Sequence, residues 1–379
     1  MSDQQDQPIH CYEPSTLEII PYEWIQMVIA TLYLLTSAAS LIGNGIVIIV
    51  QTYGTESSNN IRKYLLNLAI SDLFIGVLCV PFTYTNIVLG HWIFPNWLCP
   101  MGQFVQLWMV FITSFTLTII SFERYIATLH PFSMMNKWFR THSHPLLALT
   151  WIIGAVYAYI PLEHTHTVEF KFHNITFHEC RYDNGISLEK KRLYMTSNLI
   201  VTFMIPFIML IFSYVAIVRK LLRRRQQMTT NRKRRTTSYN TVRYNGHIQL
   251  RKSLSVNTNR HKTIKMLFTI IVLYCICWMP IKVFQVLLDY SVISYCTVSQ
   301  FYVLIGTYCA CHWLAMANSF VNPIVYSFMS QCFRNDFRRI TAQFRLRLRS
   351  RLSSIQYYFS GTSTTTVTIT IPEIAVTKV

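Results

Sequence analysis

Seven apolar stretches, each long enough to cross a lipid bilayer, dominate this chain of 379 residues. A helix needs about 20 residues to cross the hydrocarbon core, and the stretches run approximately over 25–51, 63–89, 98–128, 145–163, 194–219, 264–288 and 301–328. The chain is 52% hydrophobic and 13% charged, whereas an average soluble protein has roughly 25% charged residues. The sequence therefore predicts an all-α membrane protein, a seven-transmembrane helix bundle over residues 25–328.

The uneven distribution of charge predicts how the bundle is oriented. Residues 1–24 contain five acids and no Lys or Arg, whereas residues 219–265 contain fifteen Lys and Arg and no acid. Basic loops stay in the cytoplasm, and an odd number of spans places the two termini on opposite sides. We expect a plasma-membrane protein with its amino terminus outside and its carboxyl terminus in the cytoplasm. The net charge of +18 is thus interpreted as topology and attraction to anionic membrane lipid rather than nucleic-acid binding.

Three further segments flank or interrupt the bundle. The basic stretch over about 223–258 and the tail over 350–379 lack helical periodicity and apolar content, which predicts disorder. Between them, residues 330–349 place Phe333, Phe337, Ile340 and Phe344 among arginines. That spacing predicts a short amphipathic eighth helix on the membrane surface. Residues 1–24 are expected to form an extracellular amino terminus, and no signal-peptide pattern precedes the first stretch.

Each apolar stretch contains polar residues. Lipid tolerates such residues only where they face the interior of a helix bundle, so they indicate which faces of the helices pack together. They are Gly43-Asn44, Asn67-Leu-Ala-Ile-Ser-Asp72, Glu123-Arg124-Tyr125, Trp151, Pro206 with Tyr214, Cys277-Trp278-Met279-Pro280 and Asn322-Pro323-Ile324-Val325-Tyr326. Their identities and order resemble rhodopsin-like (class A) G-protein-coupled receptors along almost the whole membrane region. An enzyme is not expected, since no nucleophile–base pair or metal-ligand spacing stands out.

The resemblance assigns roles to these motifs. Glu123 would neutralise Arg124 at rest, and Tyr214 and Tyr326 would receive Arg124 when the bundle opens. Pro280 and Pro323 would kink their helices. The resemblance also implies a sodium ion as an allosteric modulator, whereas a hydrogen-bonded structural aspartate is the alternative interpretation. The implied sodium-site residues are Asp72, Thr113, Asn318 and Asn322.

Covalent links and modifications are predicted on both sides of the membrane. Cys99 and Cys180 match the family disulfide, and Cys11 with Cys296 could form a second one. A sequon at Asn174 predicts glycosylation. Candidate sites that a receptor kinase would phosphorylate, and whose phosphates would then bind arrestin, are Ser253, Thr362, Ser363, Thr364, Thr365 and Thr366. The last residues, Thr377-Lys378-Val379, fit a ligand of a PDZ protein.

The pocket residues resemble those of neuropeptide Y and RFamide-type receptors. Gln106 stands where aminergic receptors carry an aspartate, and Met316 stands where opsins carry a lysine. The resemblance implies a pocket formed by Gln106, Thr83, His312, Gln285 and Asp289, with Trp278 as its floor and Glu179 at its entrance. Neutral donors and acceptors suit an amidated peptide terminus, and Asp289 would pair with an arginine that precedes a terminal aromatic residue.

We therefore expect a receptor for an amidated neuropeptide with an Arg-aromatic-amide end that signals through a heterotrimeric G protein. A G-protein-coupled receptor for a lipid or another small non-amine ligand is the alternative. A membrane transporter is a remote one, because the sequence shows no inverted repeats. No cofactor is expected apart from the sodium ion.

Overall fold

The protein was analysed as a computed structural model that describes residues 20, 22–56, 59–172, 175–182, 187–236, 246–290, 292–293 and 297–360. Several predicted features lie outside these residues: the amino terminus with Cys11, the sequon at Asn174, Cys296, and the tail with its phosphorylation and PDZ motifs. The side chain of Ser253 also lies outside the described part.

Seven long helices, here called spans one to seven, confirm the predicted bundle. In order they are Glu23–Tyr53; Asn59–Phe74 continued by Ile75–Cys79 and Val80–Val88; Leu98–Leu129; Ser143–His164; Leu188–Leu199 continued by Ile200–Met204 and Ile205–Thr236; Gly246–Asp289; and Val298–Met329. A short helix, Met134–Thr141, joins spans three and four, and a surface helix, Gln331–Ser360, follows span seven.

Six of these helices are long and apolar enough to cross a membrane by length and composition. Span seven has 32 residues, and its buried polar side chains, such as Asn318 and Asn322, lower its mean hydropathy. The bundle interior contains fully buried side chains such as Tyr64 and Ile112, whereas Val156 and Phe212 are exposed on its outside. The bundle is thus apolar on its outer surface as well as in its interior, as expected for a protein surrounded by lipid.

Spans one and two approach closely at a π-helical turn, Ile75–Cys79. Ser37 Oγ donates to the Gly76 carbonyl at 2.7 Å, and Ser40 Oγ donates to the Asp72 carbonyl at 3.0 Å. A Cβ atom on residue 76 would collide with the Ser40 side chain, which explains why glycine fits here. This contact fixes the position of Asp72 in the middle of the bundle.

An antiparallel hairpin covers one end of the bundle, which we call the hairpin end. Its strands are β1, Thr165–Phe172, and β2, Ile175–Tyr182, with Thr167 opposite Cys180. The predicted disulfide between Cys99 and Cys180 is present and ties β2 to the start of span three. Asn86 Nδ2 donates to the Cys180 carbonyl at 3.2 Å, which adds a link to span two. The hairpin is thereby held over the opening between the spans.

The surface helix is attached to the opposite end of the bundle. Asp336 is almost completely buried and accepts hydrogen bonds from the Thr55 N–H at 2.9 Å and the Glu56 N–H at 3.1 Å. Arg339 Nη1 donates to Thr55 Oγ1 at 2.6 Å. These bonds hold the first turns of the helix against the end of span one.

Helical structure extends beyond the boundaries predicted from the sequence. Span five continues to Thr236, span six begins at Gly246 and the surface helix ends at Ser360, whereas disorder was predicted over 223–258 and from 350 onwards. The prediction weighed charge and polarity, but Arg, Lys, Gln and Leu have high helix propensity. A helix that is already nucleated in a span is extended at little cost.

Candidate ligand pocket and activation site

A cavity opens beneath the hairpin between spans three, four, five, six and seven. Four residues predicted from the sequence line it, namely Gln106, Trp278, Gln285 and His312. Trp278 is buried in span six and packs beside Tyr274, with ring centroids 6.3 Å apart. Trp278, which is 4% exposed, is among the buried residues of the cavity lining.

Three other predicted pocket residues do not line this cavity. Thr83 Oγ1 donates to the Cys79 carbonyl of its own helix at 2.9 Å. Glu179 lies on β2 and faces Arg181, with 3.9 Å between the closest charged atoms. Asp289 lies at the hairpin end of span six. The structure thus separates a group that the sequence analysis treated as one set.

Asp289 is already ion-paired. Its Oδ1 atom lies 3.2 Å from Lys191 Nζ of span five, and its side chain is 9% exposed. Arg192 Nε donates to the Asp289 carbonyl at 3.0 Å, and the Arg192 guanidinium lies 5.4 Å from the ring centre of Tyr290. Asp289 therefore joins spans five and six, and an incoming arginine would have to replace Lys191.

His312 is also engaged within the bundle. Its Nδ1 atom lies 2.8 Å from the Tyr33 hydroxyl, and the two rings are stacked with centroids 5.9 Å apart. One ring nitrogen is thereby committed to span one. The imidazole can offer its other nitrogen to a ligand, as a donor or an acceptor according to its tautomer.

The sequence analysis missed the charged residue deepest in the cavity, Lys282 of span six. Its side chain is buried, and Nζ donates to Asn198 Oδ1 of span five at 2.8 Å. Asn198 and Arg181 line the same cavity. The available signal was a lysine in the interior of the apolar stretch 264–288, four residues after Trp278, whereas the other lysine of the stretch, Lys265, lies at its end. An ionisable residue within a span indicates function by default.

A second polar cluster surrounds Asp72 in the centre of the bundle. Asp72 Oδ2 accepts from Asn322 Nδ2 at 2.7 Å, while Thr113 Oγ1 lies 3.0 Å from Ser71 Oγ. Among the described residues, neither Asp72 Oδ1 nor Asn318 Nδ2 has a hydrogen-bond partner, although both atoms are buried. A buried carboxylate oxygen without a partner is costly unless a cation or donor meets it. These residues fit the sodium ion that the resemblance implies, with Asp72 as the charged ligand.

We propose that a sodium ion held by Asp72 opposes agonist binding, because it would tie spans two, three and seven together in the free receptor. Replacing choline chloride by sodium chloride at equal ionic strength should lower agonist affinity by about tenfold, a coupling of ordinary size. The Asp72→Asn substitution should abolish this difference, because the amide has no charge for the ion. Radioligand competition on membranes measures both. A sodium effect that persists in Asp72→Asn would show that the ion acts elsewhere.

The end of the bundle opposite the hairpin contains the Glu123-Arg124-Tyr125 motif. Arg124 Nη2 lies 3.3 Å from Glu123 Oε2, with the glutamate side chain almost fully buried. Arg124 and Tyr214 also line a small cavity between spans three, five and six. The neighbouring Tyr125 ring packs near Phe212 of span five, with centroids 5.5 Å apart. The structure therefore contains the predicted Glu123–Arg124 pair.

The two tyrosines predicted to receive Arg124 are held by other groups. Tyr214 stacks on Phe268 of span six, with ring centroids 3.8 Å apart. Tyr326 is buried and packs near Phe333, and its hydroxyl has no hydrogen-bond partner among the described residues. Pro280 lies inside span six and Pro323 inside span seven. In this arrangement Arg124 is paired with Glu123, and the Tyr326 hydroxyl is available to bind another group when the bundle opens.

Comparison with known proteins identifies the family. The RYamide receptor of Tribolium castaneum is 27% identical over 325 residues, covering 82% of this chain and 79% of its own length. The allatostatin-A receptor of Bombyx mori is 27% identical over 307 residues, with 79% and 75% covered. Neuropeptide FF receptor 2 of Mus musculus is 26% identical over 342 residues, with 87% and 77% covered. The description "7 transmembrane receptor (rhodopsin family)" matches residues 43–326, well over half of the chain. This chain therefore belongs to the rhodopsin family of seven-transmembrane receptors and is a multi-pass membrane protein.

Proposed function

We propose that this chain is a G-protein-coupled receptor for an amidated neuropeptide that ends in Arg-aromatic-amide. The observation that carries the proposal is the cavity above Trp278, which is lined by the neutral side chains of Gln106 and Gln285. A peptide carboxamide presents one carbonyl acceptor and two N–H donors, and side-chain amides can satisfy all three. The hairpin end faces the outside of the cell, and the Arg124 end faces the cytoplasm.

The kinds of ligand named for similar receptors support a peptide. The RYamide receptor and neuropeptide FF receptor 2 are named for peptide ligands, and they align over most of this chain. These names favour a peptide over the lipid or other small non-amine ligand that the sequence analysis left open.

The arginine of the ligand is assigned to Asp289, where its guanidinium would replace the ammonium group of Lys191. Asp289 Oδ1 is held by one lysine at 3.2 Å, whereas a guanidinium can bind both carboxylate oxygens in a bidentate geometry. The Lys191 side chain is 41% exposed, so water can receive its ammonium group when a peptide replaces it. Glu179 and the acidic amino terminus would add longer-range attraction for a cationic peptide.

The opposite end of the bundle is assigned to the heterotrimeric G protein. An outward swing of span six, hinged near Pro280, would widen the cavity that Arg124 and Tyr214 line. An amphipathic helix docking in such a groove is a recurring recognition mode. A receptor kinase would phosphorylate the loop between spans five and six and the tail, and arrestin would bind the phosphates. A PDZ protein would bind Thr377–Val379.

The test is calcium release in cells that co-express this chain with a promiscuous G-protein α subunit. A panel of amidated peptides should include one that acts at nanomolar concentration and ends in Arg-Phe-amide or Arg-Tyr-amide. The Gln106→Ala variant, at equal surface expression, should lose most of that response. If no peptide of the panel releases calcium although surface expression is confirmed, the peptide assignment is contradicted. An intact response in Gln106→Ala would show that the ligand does not bind in the assigned pocket.

A further inference from the structure

The ligand cavity has a basic character that the amidated-peptide proposal does not use. Two charged residues line it, Arg181 on β2 and Lys282 on span six, and both are cations. No Asp or Glu is among its described lining residues. Arg181 is partly exposed at the mouth and faces Glu179, whereas Lys282 is only 7% exposed and lies inside. The interior of the cavity therefore contains a lysine without a carboxylate beside it.

Lys282 has unused hydrogen-bonding capacity. The ammonium group has three N–H donors, and one of them is directed to Asn198 Oδ1 at 2.8 Å. The Thr202 hydroxyl lies 3.0 Å from the same oxygen. That hydroxyl has one proton and lies closer to the Asn198 backbone carbonyl, at 2.7 Å, so Lys282 is the main donor to Asn198 Oδ1. Asn198 can offer a ligand its Nδ2 group, which is a donor. The two side chains together present more donors than acceptors.

Trp278, which lines the same cavity, lies beside Lys282. Its side chain is 4% exposed, and its indole N–H has no hydrogen-bond partner among the described residues. The Lys282 ammonium lies 5.9 Å from the centre of the indole ring. An unpaired buried donor costs free energy comparable to a lost hydrogen bond. Lys282 and Asn198, together with the adjacent Trp278, are hereafter called the donor subsite, and the N–H groups of Lys282 that Asn198 does not use are available to an acceptor from outside the protein.

A purely structural role does not account for the donor subsite. A tie between spans five and six could be made by two neutral side chains, without the desolvation cost of a buried ammonium group. The single neutral hydrogen bond and the distant ring leave that cost largely uncompensated. An ionised carboxylate accepts at two oxygens, donates nothing and carries the opposite charge. It is the common biological group that matches all three features.

We propose that the donor subsite binds a carboxylate of the receptor's ligand. The subsite lies on spans five and six, while Gln106 and His312 lie on spans three and seven. A peptide can therefore place its amide end on one side and an acidic group on the other. In an amidated peptide the carboxylate belongs to an acidic side chain, and a free chain end supplies it only in a ligand that is not amidated. The inference rests on the proposed function only in treating this cavity as the ligand site.

The test uses purified full-length receptor in lipid nanodiscs, with thermal unfolding followed by tryptophan fluorescence. The probes are N-acetylphenylalanine, N-acetylphenylalaninamide and N-acetylaspartic acid α-amide, at equal concentration and ionic strength. At about ten times its dissociation constant, a carboxylate probe should raise the Tm by about 2 °C or more, and the phenylalaninamide should raise it less. The probe with the larger shift tells whether a chain end or a side chain supplies the carboxylate.

Variants locate the effect. Lys282→Gln should lose the difference between acid and amide, Lys282→Arg should retain it, and Arg181→Gln should retain it as a matched removal of a cation at the mouth. Equal shifts for acid and amide in the wild-type receptor would overturn the proposal, and this comparison does not depend on the folding of any variant. A difference that survives in Lys282→Gln would also overturn it. Because no signalling is needed, a silent peptide panel with an acid-specific shift would reject the peptide assignment and leave the donor subsite intact.

Discussion

The Asp289→Asn substitution is expected to lower the potency of a peptide ending in Arg-Phe-amide by about 100-fold. A buried ion pair that loses one charge costs about 3–5 kcal/mol, and each 1.4 kcal/mol corresponds to a factor of ten in affinity. Part of this loss is offset because the free receptor gives up its own Lys191 contact. Concentration–response curves for calcium release, at matched surface expression, measure the change.

If the ligand arginine replaces Lys191 at Asp289, removing Lys191 should raise the potency of the same peptide. Lys191→Gln removes the competing ammonium group, which lies 3.2 Å from Asp289 in the free receptor, and should raise potency by about three- to tenfold. The matched control is Lys190→Gln, one position earlier on the same helix, which should leave potency unchanged. Unchanged potency in Asp289→Asn would exclude an arginine contact there, and a loss of potency in Lys191→Gln would show that Lys191 stabilises the active receptor.

The Arg124→Ala substitution is expected to abolish G-protein activation while leaving peptide binding within about threefold of wild type. Arg124 provides the cation in the cavity between spans three, five and six. Without it the groove offers only apolar and neutral polar side chains, and an interaction that orients the docking helix is lost. Nucleotide exchange should fall by at least about 100-fold, and labelled-peptide binding separates coupling from folding.

The partner residue gives the contrasting control for Arg124. Glu123→Gln removes the negative charge 3.3 Å from the guanidinium but keeps the side chain's size. If the pair stabilises the resting state, basal exchange should rise in Glu123→Gln, since a weaker resting contact shifts the population toward the active form. A fall in basal and stimulated exchange in both variants, or full activity in Arg124→Ala, would contradict this role.

Features with a local sequence signal were predictable. The seven apolar stretches follow from hydropathy, and the polar motifs within them from their order, whereas the pair Cys99–Cys180 was implied by the family resemblance. The helical ends beyond 222 and 350 were not, because charge content favoured disorder while residue propensity and extension of an existing helix favoured structure. Boundaries of this kind depend on a small difference between opposing free energies.

The failures at the ligand site have a different cause. The contact of Asp289 with Lys191 joins two spans that are far apart in the sequence, so no periodicity encodes it. The inward position of Thr83 was assigned by resemblance, yet its hydroxyl bonds within its own helix. Lys282 could have been found, because a lysine four residues after Trp278 lies on the same helical face. It is the one charged residue between Lys265 and Asp289, but the motif residues around it were given more weight.

The most direct test of the central claim is guanine nucleotide exchange by a heterotrimeric G protein incubated with the purified receptor in nanodiscs. A peptide ending in Arg-Phe-amide or Arg-Tyr-amide, chosen from the cell-based panel, should accelerate exchange on the wild-type receptor and have no effect on Arg124→Ala. If the peptide binds the wild-type receptor but exchange stays at the basal rate across G-protein subtypes, this chain does not couple peptide binding to a G protein.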